Sequence, residues 1–282
     1  MTTKASDKPA LVVCVSDPHT NSIAGLNPDP FRREQGSEWR PGKGGRAKLR
    51  AWQEFWQLMA DKKAEHDANC YVLAVGDLGD VNRKTAHELI SRHEPDVLLA
   101  MADIGEPMTQ VADTIFILRG TSVHNAGNGK LEELYARDID AEPDTQNGTA
   151  SWWVVKAEFG GVVFEATHHP PSSSRMPWTQ NIGASRAASI VASRYQKAGR
   201  ARDIPNVCVW AHVHFRAEGK EMGVHGFYLP PWQTAGEYGH RLGAGASPNE
   251  VGGLWFLCQD GKYTWDWETW VPERKQTWHN AN

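Results

Sequence analysis

Short unbroken apolar runs alternate along the chain with stretches in which apolar residues recur every three to four positions. Residues 10–16 (ALVVCVS) form such a run, the pattern of a strand buried on both faces. Leu49, Trp52, Phe55, Trp56 and Met59 fall at helical spacing and predict a helix over residues 49–63. The same reading predicts a buried strand at 70–75, a helix over 82–101 interrupted near Pro95, a strand at 114–118 and a helix at 130–137. Residues 152–158 and 162–166 predict a hairpin closed through Gly160 and Gly161. A helix at 183–198, a strand at 206–210 and a β-rich end from 223 to 269 complete the pattern. This order predicts an α/β fold with two mixed sheets. We expect one domain over 1–282, its motif-bearing part at about 10–216 and a β-rich C-terminal part at about 222–271. Residues 18–46 and 170–180, rich in Pro, Gly, Ser or Arg, read as functional loops.

Composition narrows the class. Hydrophobic residues make up 40% and charged residues 23%, which excludes a disordered chain, and no apolar run reaches the roughly 18–20 residues of a spanning helix. Residues 1–9 are polar and lack the apolar core of a signal peptide, so we expect a cytoplasmic protein without a membrane partner. A net charge of -4 argues against coating nucleic acid by charge alone. The four cysteines form no CxxC pair and sit in apolar runs, the pattern of buried thiols in reducing surroundings.

The chemistry lies in where Asp and His fall. Asp17 and His19 follow the first strand (VSDPHT), Asp77 the second (VGDLGD) and His124 the third (RGTSVHN). His168 and His169 end a further strand (EATHHPP), and His212 and His214 the next (VWAHVHF). Alone, each Asp reads as a turn or cap and each His as a satisfied polar residue. Together they place every candidate at the C-terminal end of a strand, where α/β folds bind ligands. The HxH and DxH spacings direct both side chains to one face of an extended segment. Mixed carboxylate and imidazole donors suit Mn²⁺, Fe or Zn²⁺ better than Ca²⁺.

In this order the motifs DxH, GDxxD, Gly-then-His, HH and HxH resemble the calcineurin-like metallophosphoesterase superfamily, over about residues 11–215. The resemblance implies a four-layer α/β/β/α sandwich of two mixed sheets, with two divalent ions above the strand ends. It implies Asp17, His19 and His214 on one ion, Asp77 bridging, and His168 and His212 on the second. His168 is preferred to His169, which is expected to support the loop. The family's Gly-Asn-His element reads here Gly120-Thr121-Ser122-Val123-His124, so Thr121 stands where the family has a ligating Asn. A hydroxyl is a poorer ligand than a carboxamide, and the second ion is expected to bind more weakly. His124 is then either the general acid or a substitute ligand. Asp80 is expected as a hydrogen-bonding support. The variant element and the Trp-rich segments look like phage- or prophage-encoded members.

The implied reaction is hydrolysis of a phosphate ester by hydroxide made available between two ions, most simply Mn²⁺. A phosphodiester of a nucleotide, DNA or RNA is the leading substrate class. A phosphomonoesterase and a degenerate metal-binding interaction protein are the alternatives. Thr121, Asn125, Asn82, Arg46 and Trp178 are candidate substrate contacts, with Trp232 and Gln233 at the mouth. Arg32, Arg33, Arg40, Lys43, Arg46, Lys48 and Arg50, with Trp39 and Trp52, could track a phosphate backbone. Equally they form a solvated loop and helix face. Trp265, Trp267 and Trp270 read as a sheet cover or an oligomer contact.

Overall fold

The computed structural model describes residues 8–81, 87–174, 176–235 and 250–272. Three parallel strands with apolar side chains on both faces make one side of a first sheet: β1 (Ala10–Val15), β4 (Asn69–Val75) and β5 (Thr114–Leu118). Two antiparallel strands, β11 (Val251–Gln259) and β12 (Lys262–Trp270), extend it beside β1, giving the order β12-β11-β1-β4-β5. A second sheet is also mixed. Its parallel centre is β7 (Val162–Thr167), β8 (Val207–Trp210) and β10 (Val224–Tyr228). The antiparallel edges are β6 (Val155–Phe159) and β9 (Ala217–Glu221), in the order β6-β7-β8-β10-β9.

Side-chain alternation explains the layering. In β1, Ala10, Val12 and Cys14 face the second sheet and meet Phe164, Val209, Phe227 and Phe256. Leu11, Val13 and Val15 face the other way, onto Trp52, Phe55, Trp56 and Met59 of helix α1 (Lys43–Glu65) and Val97, Met101 and Ile104 of α2 (Glu94–Val111). Helix α3 (Lys130–Asp138) adds Leu131 and Tyr135 to that layer. The outer face of the second sheet is covered by α4 (Gln180–Lys197), whose Ala184, Ala188 and Val191 meet Cys208, Trp210 and Tyr228. The result is a four-layer α/β/β/α sandwich of two mixed sheets, the arrangement the resemblance implies. A strand buried on both faces removes all its side chains from water, at roughly 1.5–3 kcal/mol per large apolar residue, which is why these strands read as continuous runs. All four cysteines are buried and free. Among the described residues no helix is long and apolar enough to cross a membrane.

Several boundaries differ from the sequence reading. Pro95 starts α2 rather than interrupting a helix, because the missing N–H of a proline costs nothing in a first turn, and the helix continues through Pro107 to Val111. Helix α1 begins six residues early, through Gly44 and Gly45, poor helix formers that hid its first turn. Within the expected loop over 18–46, a short hairpin of β2 (Phe31–Arg32) and β3 (Glu38–Trp39) buries Phe31. Trp152 does not begin β6; it bridges to Leu118 of β5, donating its N–H to the Ile117 carbonyl. The β-rich C-terminal part is divided between the sheets, β9 and β10 in the second and β11 and β12 in the first. Trp265 and Trp267 of β12 pack on Phe227, and Trp270 on Phe55 and Trp232, as a cover over the sheet.

Candidate metal centre

All six parallel strands run towards the same edge of the sandwich, so the segments that leave β1, β4, β5, β7 and β8 meet there. The turns that follow are sharp. Asp17, His19, Asp77, His212 and His214 all have φ between 43° and 70°, in the left-handed region that non-glycine residues avoid. Backbone strain of this kind, about 1–3 kcal/mol per residue, persists where surrounding structure enforces it and concentrates at functional sites. Each turn aims a side chain back over its strand end. The cavity so formed tolerates little bulk: a Cβ on Gly76 would lie 2.6 Å from His168 Nδ1, and one on Gly120 would lie 2.1 Å from Asp77 Oδ1.

Asp77 is at the centre. Its Oδ1 accepts the Thr121 N–H at 2.6 Å, and its Oδ2 lies 3.0 Å from His168 Nε2 and 3.8 Å from His19 Nε2. Asp17 Oδ1 lies 3.3 Å from His214 Nε2 and 3.7 Å from His19 Nε2, while its Oδ2 accepts the His212 N–H at 3.3 Å. His168 Nδ1 donates to the Val75 carbonyl at 2.8 Å; a carbonyl only accepts, so this bond sets the tautomer and turns Nε2 towards Asp77. Asp80 lies behind two imidazoles, its Oδ2 3.2 Å from His124 Nδ1 and 3.7 Å from His19 Nδ1.

The residues fit divalent ions. Ligating atoms of Asp17, His19 and His214 lie within 4.8 Å of one another, as do those of Asp17, Asp77 and His168, and those of His168, His169 and His212. Asp17 Oδ1 and both ring nitrogens of His19 are buried without a hydrogen-bond partner. Unpartnered buried polar atoms of this kind are costly, and a shared cation satisfies them together. His124 also stands within ligating reach of His19 and Asp77.

The carboxylates and imidazoles of the cluster shift one another's titration. Burial alone would lower His19, but its contacts with Asp17 and Asp80 and the charge of Asp77 raise it to about 10. Burial is likewise outweighed at His168, raised to about 9 by the charge of Asp77 and the contact with it. Despite burial, the charge of His214 and contacts with His19 and His214 hold Asp17 well below the usual carboxylate range. His212 is lowered to about 4 by burial and by the neighbouring imidazoles His169 and His168.

Other expected contacts fall elsewhere. Asn125 is fully buried: its amide donates to the Gly120 carbonyl and accepts the Gly129 N–H, so it braces the loop after β5 instead of facing substrate. Arg46 donates to the Pro41 carbonyl at the start of α1 and is not among the side chains brought to the centre. Trp232 is not at a mouth but fully buried against Trp52 and Phe55, with its backbone N–H donating to the Ser16 and Asp17 carbonyls. The basic run is dispersed. Lys48 is buried and donates to the Ala24 and Gly25 carbonyls, Trp52 is in the core, and Arg40 pairs with Asp29 and Glu38. Trp178 is 77% exposed on the short turn before α4, and Asn82 lies outside the described residues. Two groups were underrated in the sequence. His169 joins the imidazole cluster, and its adjacency to His168 was the available signal. Glu132, in the first turn of α3, is fully buried with neither oxygen hydrogen-bonded, and burial with the charge of Asp77 pushes it up to about 7. Nothing in the helical pattern of 130–137 marked it.

No protein-family model matches the sequence, and no curated protein matches it. Solved structures resemble it at low identity. Vacuolar protein sorting 29 of Cryptosporidium parvum is 14% identical, with 94% of this chain and 100% of that one covered, at a TM-score of 0.39. A conserved uncharacterized protein of Streptococcus pneumoniae, described as a predicted phosphoesterase, is 11% identical over 93% and 90%, at 0.41. An archaeal phosphodiesterase is 9% identical over 91% and 99%, at 0.40.

Proposed function

We propose that this chain is a metal-dependent phosphoesterase of the metallophosphoesterase kind, acting on a phosphodiester of a nucleotide or nucleic acid. The observation that carries the reading is Asp77, a buried carboxylate standing between an Asp17–His19–His214 group and a histidine group, amid buried polar atoms that lack partners. Asp17, His19 and His214 would hold one ion, His168 and His212 the other, with Asp77 shared. Ions held there would supply Lewis acidity towards the phosphoryl oxygens and a nucleophile at neutral pH. Mn²⁺ is the proposed ion, with Fe and Zn²⁺ as alternatives.

The chain's own residues supply the rest. Val75 orients His168 and Asp80 stands beside the rings of His124 and His19, so much of the donor set is arranged before substrate arrives. Asp80 lies beside Nδ1 of His124, which would leave Nε2 to give a proton to the departing alkoxide. Thr121, whose N–H holds Asp77 and whose hydroxyl faces the imidazoles, would border the phosphate. Trp178, largely exposed, is available to stack on a base or aryl group.

The test is hydrolysis of bis-p-nitrophenyl phosphate against p-nitrophenyl phosphate by metal-stripped protein resupplied with Mn²⁺. The expected result is diester turnover that vanishes with chelator. Monoester preference moves the assignment to a phosphomonoesterase. Bound metal without turnover of either ester points to the binding-protein reading that Thr121, in the place of a ligating Asn, favours.

A further inference from the structure

The second half of the centre contains one imidazole more than its motif supplies. His168 and His169 are adjacent, yet both rings reach the same space. The His168 and His169 centroids are 4.8 Å apart, those of His169 and His212 4.4 Å, and those of His168 and His212 5.3 Å. At their middle is the hydroxyl of Thr121, with His168 Nε2 at 3.3 Å, His169 Nε2 at 3.4 Å and His212 Nδ1 at 3.2 Å. Three ring nitrogens thus converge on one small side chain from three directions.

The backbone explains why His169 turns inward. The His168 carbonyl accepts the Ala211 N–H, tying the end of β7 to the end of β8, and the Thr167 hydroxyl donates to the His169 carbonyl. Pro170 and Pro171 follow, and a residue before proline is pushed to extended backbone. His169 is therefore held across the strand ends beside His212.

We propose that His169 is a ligand of the second ion, taking the part that a carboxamide at position 121 would otherwise play. The inference rests on the two-ion reading above. It makes this half a three-imidazole set with Asp77 as its carboxylate, whereas Asp17, His19, His214 and Asp77 make the other half two carboxylates and two imidazoles. Imidazole-rich sets favour later first-row ions, and Zn²⁺ binds such sites more tightly than Mn²⁺. The second ion is thus zinc-class, and the short Thr121 side chain leaves room for the extra ring.

The experiment is metal binding by the full-length chain, stripped with chelator and resupplied with graded Zn²⁺ or Mn²⁺. Bound metal is counted by mass spectrometry after gel filtration, and Co²⁺ absorption serves as a spectroscopic readout of ligand change. The wild type is expected to retain two Zn²⁺ per chain, the second in preference to Mn²⁺. His169→Ala is expected to retain one, with second-site affinity lower by at least about 100-fold, and with an altered Co²⁺ spectrum. The half-exposed His169 side chain is not part of a core, so the stripped variant should melt as the stripped wild type does. Two Zn²⁺ held by His169→Ala at wild-type affinity would overturn the proposal while leaving the two-ion reading intact. A wild type that holds no more than one ion overturns that reading itself, a distinct result.

Discussion

The two halves of the centre are built on different principles. Asp17, His19 and Asp77 are themselves buried on strained backbone, and Asp17 Oδ1 and both His19 ring nitrogens are left without partners. Around Thr121, His169 and His212 the surface is open, and neutral or weakly charged imidazoles crowd one hydroxyl. The first half is held in place by the sandwich, since its residues end strands that are locked on both faces. The second sets Thr121, on the segment after β5, against the exposed His169 and His212 beyond β7 and β8, where one substitution in sequence can be offset by a neighbour. The buried Asp17, His19 and Asp77 tolerate little change; the exposed His169 and His212 leave room to exchange one ligand for another.

The largest way to break this comparison is Asp77→Asn, which touches both halves. Turnover should fall on the order of 10³-fold or more, and bound metal should drop in both halves while circular dichroism stays that of the wild type; undiminished turnover refutes the shared role. Next comes His124→Ala, which belongs to neither half if it is the proton donor. Esters with poor leaving groups should slow by about 10²–10⁴-fold, p-nitrophenyl esters far less, with metal content unchanged. Loss of an ion would make His124 a ligand instead.

The smallest and sharpest effect concerns Glu132 beneath the buried half. Its carboxyl is raised to about 7 by burial and by Asp77, above its ordinary value of 4.5. A raised folded value means the group's contribution is fully present below about pH 4.5 and is lost as pH rises through 7. Metal-stripped wild type should therefore lose on the order of 3 kcal/mol across that window that Glu132→Gln does not lose. Parallel pH profiles of denaturant midpoints for the two proteins would show that Glu132 does not feel the buried half.

Much of this was legible in one chain of letters. A strand covered on both faces has no polar side, so β1, β4, β5 and β8 announced themselves as apolar runs. DxH, GDxxD and HxH stood directly after them. What could not be read were matters of distance. Asn125 looks like a surface polar residue, yet its amide closes the loop between Gly120 and Gly129. Lys48 and Trp52 look like a nucleic-acid track, yet helical phase turns both into the protein. Trp232, near the end of the described part of its segment, packs on α1 residues some 180 positions earlier.

The sequence by itself determined most of the elements, the α/β class with two mixed sheets and the list of metal-binding candidates, because burial on two faces and donor chemistry are written in residue types at short range. Only the tertiary structure decided which candidates meet. Bringing His168 to Asp77 and His214 to Asp17 depends on two sheets packing face to face with their strand ends aligned, while His169 beside His212 and Asp80 behind both His19 and His124 depend on which strands are neighbours within a sheet. Those contacts join residues far apart in the chain, and no local pattern encodes their separation in space.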